Sequence, residues 1–251
     1  MRALGIDVSV RRGLDIVCLD DRRTPLAVVG GIDTGTLREV VAGLMPDIVC
    51  IDSPPAWALA GRSRLAERQL AALGVSSYAT PSDAAGRAFY DWMTVGFEVF
   101  RAVEDGFPLY REGDPRGHAA EVFPHACAAF LAGRLPEQTE SKRAFRSDVL
   151  RTNGVEVGRV WTQDQIDAAL AALAGLIALE GHHCSVGNPA EGVILLPVSG
   201  PPPRLTHSGT TPSRAPCLPA VDPTGPSRYH GQPLGGLAGG PVAPPGREPR
   251  T

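Results

Sequence analysis

The chain has 251 residues, 43% of them hydrophobic and 20% charged, with a formal net charge of −3. That suffices for one α/β domain with a substantial core, and it excludes the strongly basic balance of a general nucleic-acid binder. No apolar run approaches the roughly 18 residues of a transmembrane helix, and no basic-then-apolar leader opens the chain, so the expectation is a cytoplasmic protein without membrane association.

Ala3, Leu4, Ile6 and Val8 form a short apolar strand that Asp7 interrupts near its carboxyl end, with Gly5 clearing space beside it. A carboxylate in a buried strand costs several kcal/mol unless it is paired or binds a cation. Asp7 therefore reads either as a ligand or as a turn or cap residue. Leu14–Leu19 and Pro25–Val29 follow as further strands, the latter ending at Gly30-Gly31, and the tight connections predict an antiparallel meander. Thr34 or Thr36 then caps a helix with Leu37, Val40, Val41 and Leu44 on one face. Ile48–Ile51 is a fully apolar strand running into Asp52-Ser53-Pro54-Pro55; the strand–helix–strand step makes it parallel to the first strand by a right-handed crossover.

Residues 61–73 read as a short amphipathic helix whose Arg64, Glu67 and Arg68 form a solvated face or meet a substrate. Residues 76–87 are loop-like, and 87–103 form a helix bearing Phe89, Trp92, Phe97 and Phe100. Ala119–Phe123 is a short strand holding Glu121 and stopped by Pro124. Residues 126–131 and the basic segment 142–150 are helical. The last strong helix starts at Trp161-Thr162 and ends at Gly181, with Ile166, Leu170, Leu173 and Ile177 on its apolar side. Glu191–Pro197 reads as a closing strand. Beyond about Gly200, proline and glycine crowd the chain and large apolar side chains thin out, which predicts a disordered tail over 200–251 behind a domain of residues 1–199.

The acids gather into a pattern. Asp7 and Asp52 end strands that the crossover makes neighbours, Glu121 lies in a later strand, and Asp164 and Asp167 stand three apart on one helix face. Neighbouring strands run about 4.8 Å apart, so carboxylates at their ends can share hard cations such as Mg²⁺. A pair of such ions suits phosphodiester hydrolysis.

The stretches Gly5-Ile-Asp7, Ile51-Asp-Ser-Pro54, Glu121-Val-Phe-Pro124, Asp164-Gln-Ile-Asp167-Ala168 and Glu191–Pro197, in that order, resemble the family called domain of unknown function 429. Residues 66–70 and 78–82 resemble its middle segments. That family is described as predicted nucleases of the ribonuclease H fold. The resemblance implies a mixed five-stranded sheet of order 3-2-1-4-5, flanked by helices and carrying helical insertions. It further implies Mg²⁺ or Mn²⁺ held by Asp7, Asp52, Asp164 and Asp167, with Asp7, Asp52, Glu121 and Asp167 as the catalytic set. Glu121 alternatively lines the substrate cleft or makes a structural hydrogen bond. The partner expected is a nucleic acid or nucleotide.

Lesser candidates surround this set. Arg87, Lys142 (the only lysine), Arg143 and Arg146 are possible phosphate ligands. Trp57 and Tyr78 either stack on bases or pack within their loops. His118 and His125 flank the Glu121 strand as structural residues or proton shuttles. Two rival readings use the same fold: a nucleotide-phosphate enzyme of the actin and sugar-kinase type, whose first strand also carries a Mg²⁺-organising Asp, and a non-catalytic nucleic-acid or ligand-binding module.

Overall fold

Side chains alternate along β1 (Arg2–Asp7), and that alternation places a separate helical layer on each side of it. Ala3 joins one core with residues of the last helix, while Leu4 and Ile6 join another. The computed structural model describes residues 1–207. β2 (Leu14–Asp20) pairs antiparallel with β1, and β3 (Pro25–Ile32) pairs antiparallel with β2, completing the expected meander. Helix α1 (Leu37–Leu44) buries Leu37 and Val41 and returns the chain to β4 (Ile48–Asp52), which lies parallel to β1.

Helix α2 (Leu65–Ala72) precedes the 76–87 loop. The helix expected over 87–103 divides into a 3₁₀ turn at Ala88–Tyr90 and α3 (Asp91–Val103). Strand β5 (Ala119–Glu121) is parallel to β4, and Pro124 starts α4 (Pro124–Ala132), a first-turn position where its missing N–H costs nothing. Ser141 caps α5 (Lys142–Thr152), its hydroxyl accepting from the Ala144 amide. Thr162 and Gln165 form a reciprocal capping box at the start of α6 (Gln163–Leu179).

Among the described residues the sheet has seven strands, not five, in the order β3-β2-β1-β4-β5-β7-β6. The expected 3-2-1-4-5 order survives within it, extended by a hairpin of β6 (Cys184–Asn188) and β7 (Gly192–Leu196). Strand β7 was foreseen; β6 was not. Its Cys-Ser-Val-Gly-Asn sequence has a single strongly apolar, β-favouring residue, Val186, and it forms the edge of the sheet.

Helix α6 decides how the layers fit. Every residue from Ile166 to Ala178 is buried, and much of its surface is alanine. A Cβ placed on Gly5 would collide with the Ala168 carbonyl and the Ala172 amide, so backbone lies against backbone. On the same helix, a Cβ at Gly175 would come within 2.7 Å of the Cys50 sulfur and 3.0 Å of an Ile48 methyl. Small residues thus let α6 lie against β1 and β4.

The expected domain end at residue 199 falls too early. Leu205 is only 4% exposed and joins a core with Leu70, Val75 and Leu135. Its amide donates to the Leu73 carbonyl at 2.8 Å, and the Leu135 amide donates to the Thr206 carbonyl at 3.3 Å. The remainder of the tail expected to be disordered, 208–251, lies outside the described residues.

Two stability predictions follow from this packing. Gly5→Ala should cost about 3 kcal/mol or more by forcing α6 off the sheet. Thermal unfolding should register this as a drop in Tm of roughly 6 °C or more; an unchanged Tm would show that α6 does not lie where described. Leu205→Ala should cost about 2–5 kcal/mol, while Arg204→Ala, at an exposed neighbour, should stay within about 0.5 kcal/mol. Equal effects of the two in urea unfolding would detach residues 201–207 from the core.

Candidate active site

The parallel register sets Asp7 directly beside Asp52, and the antiparallel register sets Asp7 opposite Asp15. Gly5 brings α6 close enough for its first two turns to present Asp164 and Asp167 to the same sheet end. Four of the five acids singled out in the sequence therefore act on one another. Burial, followed by Asp52, Asp167, Asp164 and Asp15, pushes the Asp7 carboxyl up to about 9. Burial and Asp167 push Asp52 up to about 7, with Arg146 and Lys142 pulling the other way. Asp52 keeps an accessible edge, although protein atoms crowd it.

These carboxylates differ in how they are compensated. Asp167 is 3% exposed and is held by Arg146, by Lys142 Nζ at 3.2 Å and by the Gln163 amide at 2.9 Å. Asp164 is ion-paired with Arg12. Asp15, buried and pushed upward by burial and Asp164, faces Arg12, Thr162 and Gln165. Asp7 and Asp52 have no hydrogen bond or ion pair from any side chain among the described residues. Two carboxyls are therefore pressed together with no protein cation bonded to either, and Asp7 keeps its proton rather than add a second charge.

Glu121 is placed differently. Both its oxygens accept from the Arg64 guanidinium, at 2.6 and 2.7 Å. Arg64 Nε donates to Glu67 Oε1 at 2.8 Å, and the Thr80 hydroxyl donates to the same oxygen at 2.8 Å. Arg64 is 1% exposed and Glu67 is 6% exposed, so the expected solvated helix face is instead a buried ion network. Losing one partner of such a network typically costs about 3–5 kcal/mol. Glu121 thus both makes the hydrogen bonds and lines the cleft, the two alternatives left open for it above, within reach of Asp52 electrostatically but with each oxygen bonded to Arg64.

Beside the carboxylates lies a cleft of about 400 Å³, lined by Asp52, Glu121, Arg64, Lys142, Arg146, Ser77, Tyr78, Phe89 and Trp92 among others. Arg143 and Arg87 are exposed and outside this lining. Trp57 packs edge-on to Phe97 at 4.8 Å, whereas Tyr78 remains exposed. His125 is half-buried near Asp167; burial, then Arg146 and Lys142, push it down to about 4, so it is neutral at pH 7. His118 instead contacts the Arg116 carbonyl at 2.9 Å.

The model of a family described as "Protein of unknown function (DUF429)" matches residues 5–191. The chain belongs to that family. Within this DUF429 chain the match spans β1 to the β6–β7 turn and so contains every acid described above. No curated protein matches the sequence. Two solved structures of RuvC from Thermus thermophilus, one in complex with a Holliday junction substrate, are similar at 14% identity. Each match covers 72% of this chain and 97% or 96% of RuvC, with TM-scores of 0.40 and 0.39. A likeness at that level carries no argument about function. Among the described residues no helix is long and apolar enough to cross a membrane.

Sequence reasoning missed Asp15, the pairing of Arg12 with Asp164, and the pairing of Arg64, named only as a surface or substrate-facing residue, with Glu121. An Asp one residue into a strand antiparallel to β1 was a readable signal for Asp15, because the register places it opposite Asp7.

The Asp7 shift has a direct consequence for stability. A carboxyl raised in the folded state holds a proton that the unfolded chain has already lost, so folding weakens as pH rises from about 4 to about 9. Without divalent metal, the Tm of the parent should fall across this window more steeply than that of Asp7→Asn. At pH 8 the variant should be the more stable by at least about 1 kcal/mol, or roughly 2–4 °C. Parallel Tm–pH curves for the two proteins would mean that Asp7 is not held under this repulsion.

Proposed function

We propose that the protein is a metal-dependent phosphodiesterase acting on nucleic acid or nucleotides, on a ribonuclease H-like sheet. The observation that carries this reading is the pair Asp7 and Asp52, in register on adjacent strands and without a cation partner. The resemblance of the chain's acidic motifs to a family of predicted nucleases supports it.

The donor set fits Mg²⁺ or Mn²⁺ in a limited form. Among the described residues, no three His, Cys, Asp or Glu side chains come together closely enough to hold a metal ion by themselves. Two carboxylates do suit Mg²⁺, which commonly binds through one or two carboxylates and completes its shell with water and substrate phosphate. Asp7 and Asp52 would hold the ion; Asp164 and Asp167, tied to Arg12 and to Arg146 with Lys142, would stand behind them. When bound, such an ion supplies positive charge to a phosphoryl oxygen and to an attacking water.

The side chains contribute the rest. With a cation bound, Asp7 and Asp52 would be held as carboxylates, because a nearby positive charge favours the deprotonated form. Lys142 and Arg146 line the cleft and balance the phosphate charge as it is drawn towards the acids. Hydrolysis joins the water oxygen to phosphorus and breaks the bond to one ester oxygen. That oxygen leaves as an alcohol, carrying the proton the water gives up.

The test is cleavage of single-stranded, double-stranded and branched DNA and RNA, with activated phosphodiesters alongside, in Mg²⁺ or Mn²⁺. Asp7→Asn and Asp52→Asn should each lower the rate by at least about 100-fold, with folding verified by circular dichroism. Cleavage by Asp7→Asn at the parental rate would overturn the mechanism.

A further inference from the structure

We propose that the cleft receives one unpaired nucleotide of a single-stranded nucleic acid, its base on a wall formed by Tyr78, Phe89 and Trp92 and its phosphate at Lys142 and Arg146. The proposal rests on the hydrolase reading above and names the substrate class for that site.

The wall is the first observation. Tyr78 is 66% exposed and Phe89 53% exposed. They meet edge-on with ring centroids 5.3 Å apart, and Tyr78 meets Trp92 at 6.3 Å. The three rings thus adjoin one another from the 76–87 loop through the 3₁₀ turn at Ala88–Tyr90 to the start of α3, and all three line the cleft. Large exposed aromatic surfaces are uncommon on soluble domains unless something binds them. Every nucleobase presents a π-face, and stacking on an aromatic side chain contributes about 1–3 kcal/mol per base regardless of sequence.

The second observation is polar. Among the described residues, three buried side-chain nitrogen or oxygen atoms have no hydrogen-bond partner, and two of them, Arg146 Nε and Ser77 Oγ, belong to residues lining this cleft. Arg146 itself is 5% exposed. A guanidinium with an unused donor, beside an exposed lysine, is suited to a phosphate oxygen. The cleft lining therefore combines aromatic rings, two cationic side chains and the Asp52 carboxylate, the groups that a base, a phosphate and a bond to be broken call for.

Size and charge select the strand. About 400 Å³ is a small-molecule volume, sufficient for one nucleotide and not for a base pair within its helix. Bases inside a duplex keep their faces stacked on one another and cannot reach the wall. The net charge of −3 also gives the chain no overall excess of basic groups for holding duplex phosphates at many points.

The experiment is fluorescence anisotropy on the full chain in EDTA, with labelled single-stranded DNA and RNA of about 12 nucleotides, the matching duplexes, and a mononucleotide as competitor. The single strand should bind at least tenfold more tightly than the duplex and the mononucleotide. Tyr78→Ala with Phe89→Ala should weaken it roughly 5- to 150-fold, the loss of stacking for one base. Both positions are exposed, and unchanged thermal unfolding of the double variant would confirm that it folds. Equal affinity for duplex, equal affinity for the mononucleotide, or indifference to the double variant would each overturn the proposal. Cleavage in Mg²⁺ or Mn²⁺ separates the two readings. Aromatic-dependent strand binding without any cleavage would defeat the hydrolase and leave this inference standing; cleavage of duplex unaffected by the double variant would do the reverse.

Discussion

The site depends on how closely α6 approaches β1. A helix and a strand usually keep a side-chain layer between them, but at Gly5 that layer is missing and the helix backbone itself fills the gap. Alanines at 168, 169, 171, 172 and 174 carry the same economy of volume along the helix, and Gly175 continues it over β4. The consequence is electrostatic. Because α6 lies against β1 and β4, the acids in its first turns meet those at the strand ends, more than 100 residues away in sequence. A larger residue at Gly5 would disturb the core and the constellation together.

Charge compensation then divides the buried ionic groups into two kinds. Arg64 with Glu67 and Glu121, Arg146 and Lys142 with Asp167, and Arg12 with Asp164 are each closed by an opposite charge. Buried pairs of this kind add little net stability over an apolar core, but a lone charge in the same place is costly. Asp7 and Asp52 are the exception: the charged neighbours of Asp7 are all carboxylates, and Asp52 feels Asp167 and Glu121 against the more distant pull of Arg146 and Lys142, which are bonded to Asp167 instead. A fold that satisfies the surrounding acids and leaves two adjacent ones unsatisfied has placed its largest electrostatic cost at one point. A divalent cation with a phosphate, or a proton, removes that cost.

Much of this was legible from local pattern. Strand alternation and turn residues located β1 to β4, Thr162 and Gln165 announced the start of α6, and Gly5 beside Asp7 signalled a close approach. What could not be read depended on partners remote in sequence. Arg64 looked like a surface residue because its burial requires Glu121, 57 positions away. Strand β6 has little β-forming character of its own and exists because β7 offers it a hydrogen-bonding edge. Residues 201–207 begin with three prolines, yet Leu205 finds a pocket beside Gly74, where the positive φ of 92° brings the two backbones together. Composition recorded the prolines and missed the leucine.

The Arg64 network bears on the acids without belonging to them. Glu121 ends β5 next to β4, and its charge acts on Asp52 in the direction that raises that carboxyl. By taking both Glu121 oxygens, Arg64 neutralises what would otherwise be another negative charge crowding Asp52. The same guanidinium joins β5 to α2 and, through Glu67 and Thr80, to the loop that carries Tyr78. Glu121 beside Asp52 and the loop that carries Tyr78 therefore share one buried support. Any change that loosens it would act on both at once, shifting the loop that holds the wall while exposing Asp52 to a further like charge.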